Sequence, residues 1–453
     1  MNVKKLIISA AALCLVHVGM TAQDSTATAL PSQWTLQDCI DRAKAQNVTV
    51  RKSRVSAQSA QIDVKDAKNS RLPDVSFSTS QGFTNRPFQS TSSMVSGSQV
   101  ISTNHKNSYS GQYGFSASMP LYDGGKISNT IKLQQLNSQI ADLAVTTKEL
   151  TVEESVTKLY VQILYAQETI KQDKEQIELS QKQLERGQGL FKSGLLNKAD
   201  VSKLESQNAT DRYQLVADES TLADYKLQLK QLLELDGDQN LELATSGTDA
   251  DALAPLPAKA DVYAAALAAR PEIQSARLAI DKGDINEKIA KASMLPSLSL
   301  SASVATNNVT GNGNMFDQLK RQWNNNIGLT LSVPIYDHGK TKNAVAKARL
   351  AKQTSELDLV DAQKNLWKTI ENYWQQATSA QQRFVSAKEQ VKYAKTSYEL
   401  TSEQFRLGLK NIVELTTDKT SLSSATQQML QAKYMAVLNQ AMLKYYQGEQ
   451  INL

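Results

Sequence analysis

The 453-residue sequence predicts an internally duplicated α+β membrane protein, in which long antiparallel coiled-coil helices run on from the strands of a β-barrel wall. Three observations predict it. One motif recurs 214 positions downstream, four runs alternate apolar with small polar residues, and two stretches of about 65 residues keep a heptad without a proline.

The amino terminus reads as a signal peptide over 1–22. Lys4 and Lys5 precede an apolar core from Leu6 to Val18, and small residues lead to cleavage after Ala22. Cys14 lies inside that core behind the bulky Leu13, which favours a plain cleaved signal over a lipid-modified cysteine. The core falls short of the roughly 20 residues that a membrane helix needs, and no later stretch reaches that length. Only Cys39 then remains, so no internal disulfide is expected. Losing Lys4 and Lys5 takes the formal charge from +5 to +3, and no basic stripe with interleaved aromatics argues for nucleic acid.

The duplication organises everything downstream. Pro120-Leu121-Tyr122-Asp123-Gly124-Gly125-Lys126 returns as Pro334-Ile335-Tyr336-Asp337-His338-Gly339-Lys340. The same displacement aligns Phe191, Gly194, Leu195 and Asn197 with Phe405, Gly408, Leu409 and Asn411. Upstream it becomes 223, pairing Leu72-Pro73 with Leu295-Pro296; the polar stretch 84–108 holds the extra nine residues. The expected repeats are 23–235 and 258–446, with an Asp-, Ala-, Gly- and Pro-containing linker at 236–257 and a tail at 447–453. Each repeat reads helix, strand, loop, strand, long helix, tight turn, helix.

Leu298, Leu300, Ala302 and Val304 alternate with serines, and Ile327 to Ile335 alternates likewise with Gly328, Thr330 and Ser332. Val75, Phe77 and Phe83 do the same in the first copy, as do Tyr113, Phe115, Ala117, Met119 and Leu121. Such alternation fits a half-buried soluble sheet as well as a barrel. The polar face here is almost all Ser, Gly and Thr, which leaves a lumen open and favours the barrel wall. Four short strands cannot close a barrel alone, so more than one copy is expected to build it.

The helix from Lys126 to Leu190 rises roughly 100 Å. Val156, Ile163, Ile170, Ile177, Leu184 and Phe191 fall seven apart, and the second copy repeats them as Ile370, Ala377, Phe384, Val391, Tyr398 and Phe405. Pro73 and Pro296 end the incoming helices, while Asp123 and Asp337 are placed to cap the outgoing ones.

Taken together, the duplicated strand pairs, the two Tyr-Asp turns and the paired hairpin tips resemble the TolC-like outer membrane efflux protein family. The resemblance covers essentially the whole mature chain. It implies a homotrimer whose strands form one twelve-stranded outer-membrane barrel, with the helices forming a hollow α-barrel in the periplasm. It also implies an exit duct for an inner-membrane pump joined by a periplasmic adaptor. Adaptor contact would fall on the tips, at Gly194, Leu195, Leu196, Gly408, Leu409 and Asn411. Acidic rings narrow the periplasmic mouth in this family, and Glu399 and Glu403, spaced i, i+4, are the candidates here. The alternative class is a periplasmic coiled-coil adaptor or structural protein, which would carry one hairpin rather than two with strand pairs. A metal-ion efflux duct would share the whole fold, but Met and His are not clustered. His105 and His338 stand apart, no catalytic constellation appears, and no cofactor is expected.

Overall fold

The computed structural model describes residues 33–88, 92–96, 99–103, 107–237, 239, 241–244, 251–309 and 314–451. The expected signal peptide and His105 lie outside the described residues, as does part of the expected linker and the very end of the tail. Among the described residues, no helix is long and apolar enough to cross a membrane.

The first repeat comprises α1 (Leu36–Gln46), α2 (Val48–Asn69), β1 (Asp74–Asn85), β2 (Ser92–Ser96), β3 (Gln99–Thr103), β4 (Asn107–Tyr122), α3 (Lys126–Lys192) and α4 (Lys198–Leu232). The second comprises α5 (Lys259–Ala269), α6 (Pro271–Ala292), β5 (Ser297–Val309), α7 (Met315–Arg321), β6 (Asn324–Ser332), α8 (Lys340–Arg406) and α9 (Ile412–Gln447). The duplication holds almost to the residue. The paired helices have 11 and 11, 22 and 22, 67 and 67, and 35 and 36 residues. The extra length in the first loop is a β2–β3 hairpin, where the second copy has the short α7.

Two features depart from the sequence reading. The incoming helix of each repeat is broken in two, at Asn47 and at the equivalent Arg270. Asn47 Oδ1 accepts from the Thr49 amide, and its Nδ2 donates to the Leu232 carbonyl at the far end of α4. In the second copy Pro271 opens the new helix, a position where its missing N–H costs nothing. Secondly, β6 stops at Ser332, so Val333 to Ile335 are not in the strand. Their counterparts Met119 and Pro120 pair with Leu300 and Ser299 of β5, whereas β6 has no neighbour on that side.

The sheet order is β1-β4-β5-β6, antiparallel throughout, with β4–β5 joining the repeats. Asp123 and Asp337 cap α3 and α8 as expected. Asp123 accepts from the Gly125 and Ile127 amides, and Asp337 from those of Gly339 and Thr341. His338 takes a left-handed φ of 57°, matching Gly124 at 69°. Its tolerance is therefore that of histidine for left-handed backbone, not that of a helix start for any residue.

The largest core lies midway down α3, where Val156, Tyr160 and Ile163 meet Cys39 and Ile40 of α1 and Met442 of α9, all essentially buried. The Tyr160 hydroxyl donates to the Ala244 carbonyl at 2.7 Å, fixing the chain between the repeats against this core. Arg270 lies over the rings of Tyr445 and Tyr446, 4.3 and 3.9 Å from their centroids. Below it the heptad holds in part: Ile370, Ala377, Phe384, Tyr398 and Phe405 are buried, Ile177, Leu184 and Val391 are half-buried, and Phe191 is exposed at the tip.

Candidate functional site

Two surfaces hold the residues that the sequence singles out, the strand wall and the hairpin tips. In the wall, Ser118 stands between Asp74 and Ser301, and Ser116 between Ser76 and Ser303. Small polar side chains thus share one face. On the other face Phe77 packs on Phe115 at 4.8 Å between centroids, and Leu300 stands between Met119 and Leu329. That apolar face is open. Phe77, Phe115, Ile327 and Leu329 expose between 56 and 79% of their surface. A soluble half-buried sheet would cover such a face, so the exposure favours a lipid-facing wall. Accordingly, Leu300→Arg should cost assembly about 2–4 kcal/mol, while Ser301→Arg on the polar face leaves assembly intact. Yield of membrane-inserted protein checks this; equal losses would refute a two-faced wall.

At the tips, each long helix ends in the same turn. The Leu195 amide donates to Leu190 and that of Gly194 to Phe191; Leu409 donates to Gln404 and Gly408 to Phe405. This is the Schellman arrangement, and Gly194 and Gly408 both take the φ of 75° that it requires. Asn197 and Asn411 then start the return helices, each side-chain oxygen accepting from the amide three residues on. Asn411 is thereby committed to capping. Leu195 and Leu409 are exposed, but Leu196 turns inward against the cluster around Leu204 and Phe405. Sequence reading passed over Leu407, which is 62% exposed beside Gly408 and adds to the apolar tip.

Glu399 and Glu403 are both exposed near the end of α8. Glu399 borders a cavity with Lys395 and Tyr398, while Glu403 is bonded by Arg406 Nε at 2.6 Å. Just above, Lys419 of α9 reaches Asp211 of α4 at 2.5 Å and ties one hairpin to the other. Burial pulls the Lys419 pKa down, and Asp211 acts against that. This contact spans 208 residues, and nothing local in the sequence announces it.

With that geometry in view, the relatives are informative. The outer membrane efflux protein family matches over residues 39–234 and 262–449, and the chain belongs to it. The match falls in two parts, one on each repeat. The chain is 22% identical over 426 residues to outer membrane protein TolC of Salmonella enteritidis, covering 91% of this chain and 82% of that protein. It is 26% identical over 284 residues to the alkaline protease secretion protein AprF of Pseudomonas aeruginosa, covering 61 and 55%. Among solved structures, CusC superposes with a TM-score of 0.77 at 17% identity, over 92% of both chains. The protein is thus an outer-membrane efflux duct whose long helices extend into the periplasm.

Proposed function

We propose that three copies of this chain close one twelve-stranded exit duct, which receives cargo from an inner-membrane pump through a periplasmic adaptor docked at the hairpin tips. One observation carries the reading: a four-stranded sheet with an uncovered apolar face and two free edges, β1 and β6, seated on helices of 67 residues. Open edges cannot persist in lipid, so β6 of one copy pairs with β1 of the next. The family match supports an outlet serving efflux, and the likeness to the protease secretion protein AprF supports one serving protein secretion. Exposed Leu195, Leu407 and Leu409 supply an apolar docking surface, and Gly194 and Gly408 leave backbone free beside it. Glu399 and Glu403 place acidic groups near the periplasmic mouth, where three copies would attract cations.

The duplication supports one register for the proposed joint. Carrying the Ser118–Ser301 pairing across by the two displacements sets Ser332 of one copy against Ser78 of the next. Both residues belong to the small polar face. Native Cys39 is buried and will not interfere. Oxidising membranes that hold the Ser78→Cys, Ser332→Cys double variant should give covalent trimers. Thr79→Cys with Ser332→Cys puts the thiols on opposite faces and should stay monomeric. A double variant at Ser78 and Ser332 that remains monomeric on denaturing gels would overturn the proposed joint.

A further inference from the structure

The seam inside the first hairpin carries a feature that the second lacks. The α3–α4 register is fixed by Asn208 Nδ2 donating to Ser180 Oγ at 3.1 Å and by Lys174 lying 3.8 Å from Glu219. Beside the Lys174–Glu219 contact, Asp173 of α3 meets Asp218 of α4, and the two carboxyl groups lie within hydrogen-bond reach. Asp173 Oδ2 is shut off from solvent, and among the described residues no donor supplies it a hydrogen. Two carboxylates cannot hydrogen-bond each other; the contact needs a proton between them. The equivalent positions in the second hairpin are Ala387 and Ala432, each 7% exposed and packed in the α8–α9 seam. A fold that packs small apolar residues at this level of one hairpin has placed two acids at the same level of the other.

We propose that Asp173 and Asp218 share one proton and form a pH-sensitive clasp on the first hairpin, shut in mildly acidic surroundings and loosened in alkaline ones. The neighbouring charges leave the pair uncompensated. On α4, Asp211 adds a further negative charge, itself neutralised by Lys419 from α9, and Gln214 donates to Asp218 Oδ2 at 3.0 Å. On α3, Lys174 is engaged by Glu219, and Glu175 borders the adjoining cavity of about 500 Å³. From α8, Lys395 and Glu399 face that cavity with opposite charges, and α9 lines it with Ser423, Thr426 and Gln427. Among the described residues, Asp173 makes no ion pair.

Burial first, then the hydrogen bond and charge of Asp218, then the charge of Asp211, push the Asp173 carboxyl up to about 7. A value raised above the ordinary carboxyl range means that the clasp is whole at low pH and is lost as pH rises through about 7. The proton passes to water, and two facing carboxylates remain in the seam.

Amide hydrogen exchange of the full-length protein in detergent, corrected for intrinsic rates, tests the clasp with its own internal reference. Opening of 166–187 and 204–225 is compared with that of 380–401 and 418–439. The ratio should rise about tenfold between about pH 6 and about pH 8, the effect of one proton over that window. Asp173→Asn, whose amide donates to Asp218 at any pH, should flatten the response. Asp173→Ala with Asp218→Ala, which copies the second hairpin, should flatten it as well. An unchanged ratio in the native protein, or a tenfold rise that persists in either variant, would overturn the proposal.

Discussion

Replacing Lys419 by Met is expected to destabilise the folded protein by about 3–5 kcal/mol, the largest effect of any single side-chain change proposed for the helices. The ammonium is 1% exposed and sits 2.5 Å from Asp211 Oδ2, while Asp211 Oδ1 accepts from Gln207 at 2.8 Å. Methionine matches the lysine stem in length and would fill its path between α9 and α4. What it cannot do is neutralise a carboxylate that is almost wholly enclosed and already faces the acids at 173 and 218. The loss is therefore one of charge balance and not of packing. Lys419→Met with Asp211→Leu removes both charges and should return stability to the native level or above it, because a buried ion pair recovers little beyond its own desolvation. Thermal unfolding of the purified protein reads both variants. A double variant as unstable as the single one would show that the cost lies in packing.

Gly408→Glu is expected to abolish export while leaving the protein inserted in the outer membrane. The glycine takes a φ of 75°, and no atom lies within 4 Å of where a Cβ would stand. Strain then accounts for the whole structural cost, on the order of 1 kcal/mol, too little to undo seams that run the length of 67-residue helices. The new carboxylate would project beside exposed Leu407 and Leu409, on the apolar surface proposed to receive the adaptor. Gly408→Ala carries the same strain without the charge, so it should export nearly as well as the native chain. Membrane fractionation reports insertion, and complementation of a strain lacking the gene reports export. Retained export with glutamate in place would remove the tips from the adaptor contact.

The sequence carried the repeats, the strand faces and the tip turns because each is written locally, in a motif, an alternation or a glycine. The 214-residue displacement is enough to locate both long helices. The break at Asn47 was less visible, since α1 and α2 together keep a continuous helical composition and the break depends on Asn47 reaching Leu232; the break at Arg270 did have a local signal in Pro271, which the sequence reading passed over. The seam acids were missed for a different reason. The heptad followed through Val156 and Ile163 faces the core, whereas Asp173 lies in another register with Ala166, Ser180 and Gly187, facing α4. Counting apolar residues passes over a row of small and polar ones. The inward turn of Leu196 and the capping role of Asn411 likewise depend on how the return helix departs, which the spacing of the tip residues leaves open.

The equality of α3 and α8, 67 residues each, makes this chain a ruler. Inserting one heptad into a single hairpin would drop its tip about 10 Å below its twin and leave a stepped rim. An insertion of any other length would also rotate the apolar stripe away from its neighbours. Viable changes in reach therefore come in sevens, split between the two arms of a hairpin and entered twice in the same gene. The reach of the protein into the periplasm is thereby quantised, and a lineage adapting to a wider cell envelope has only those steps available.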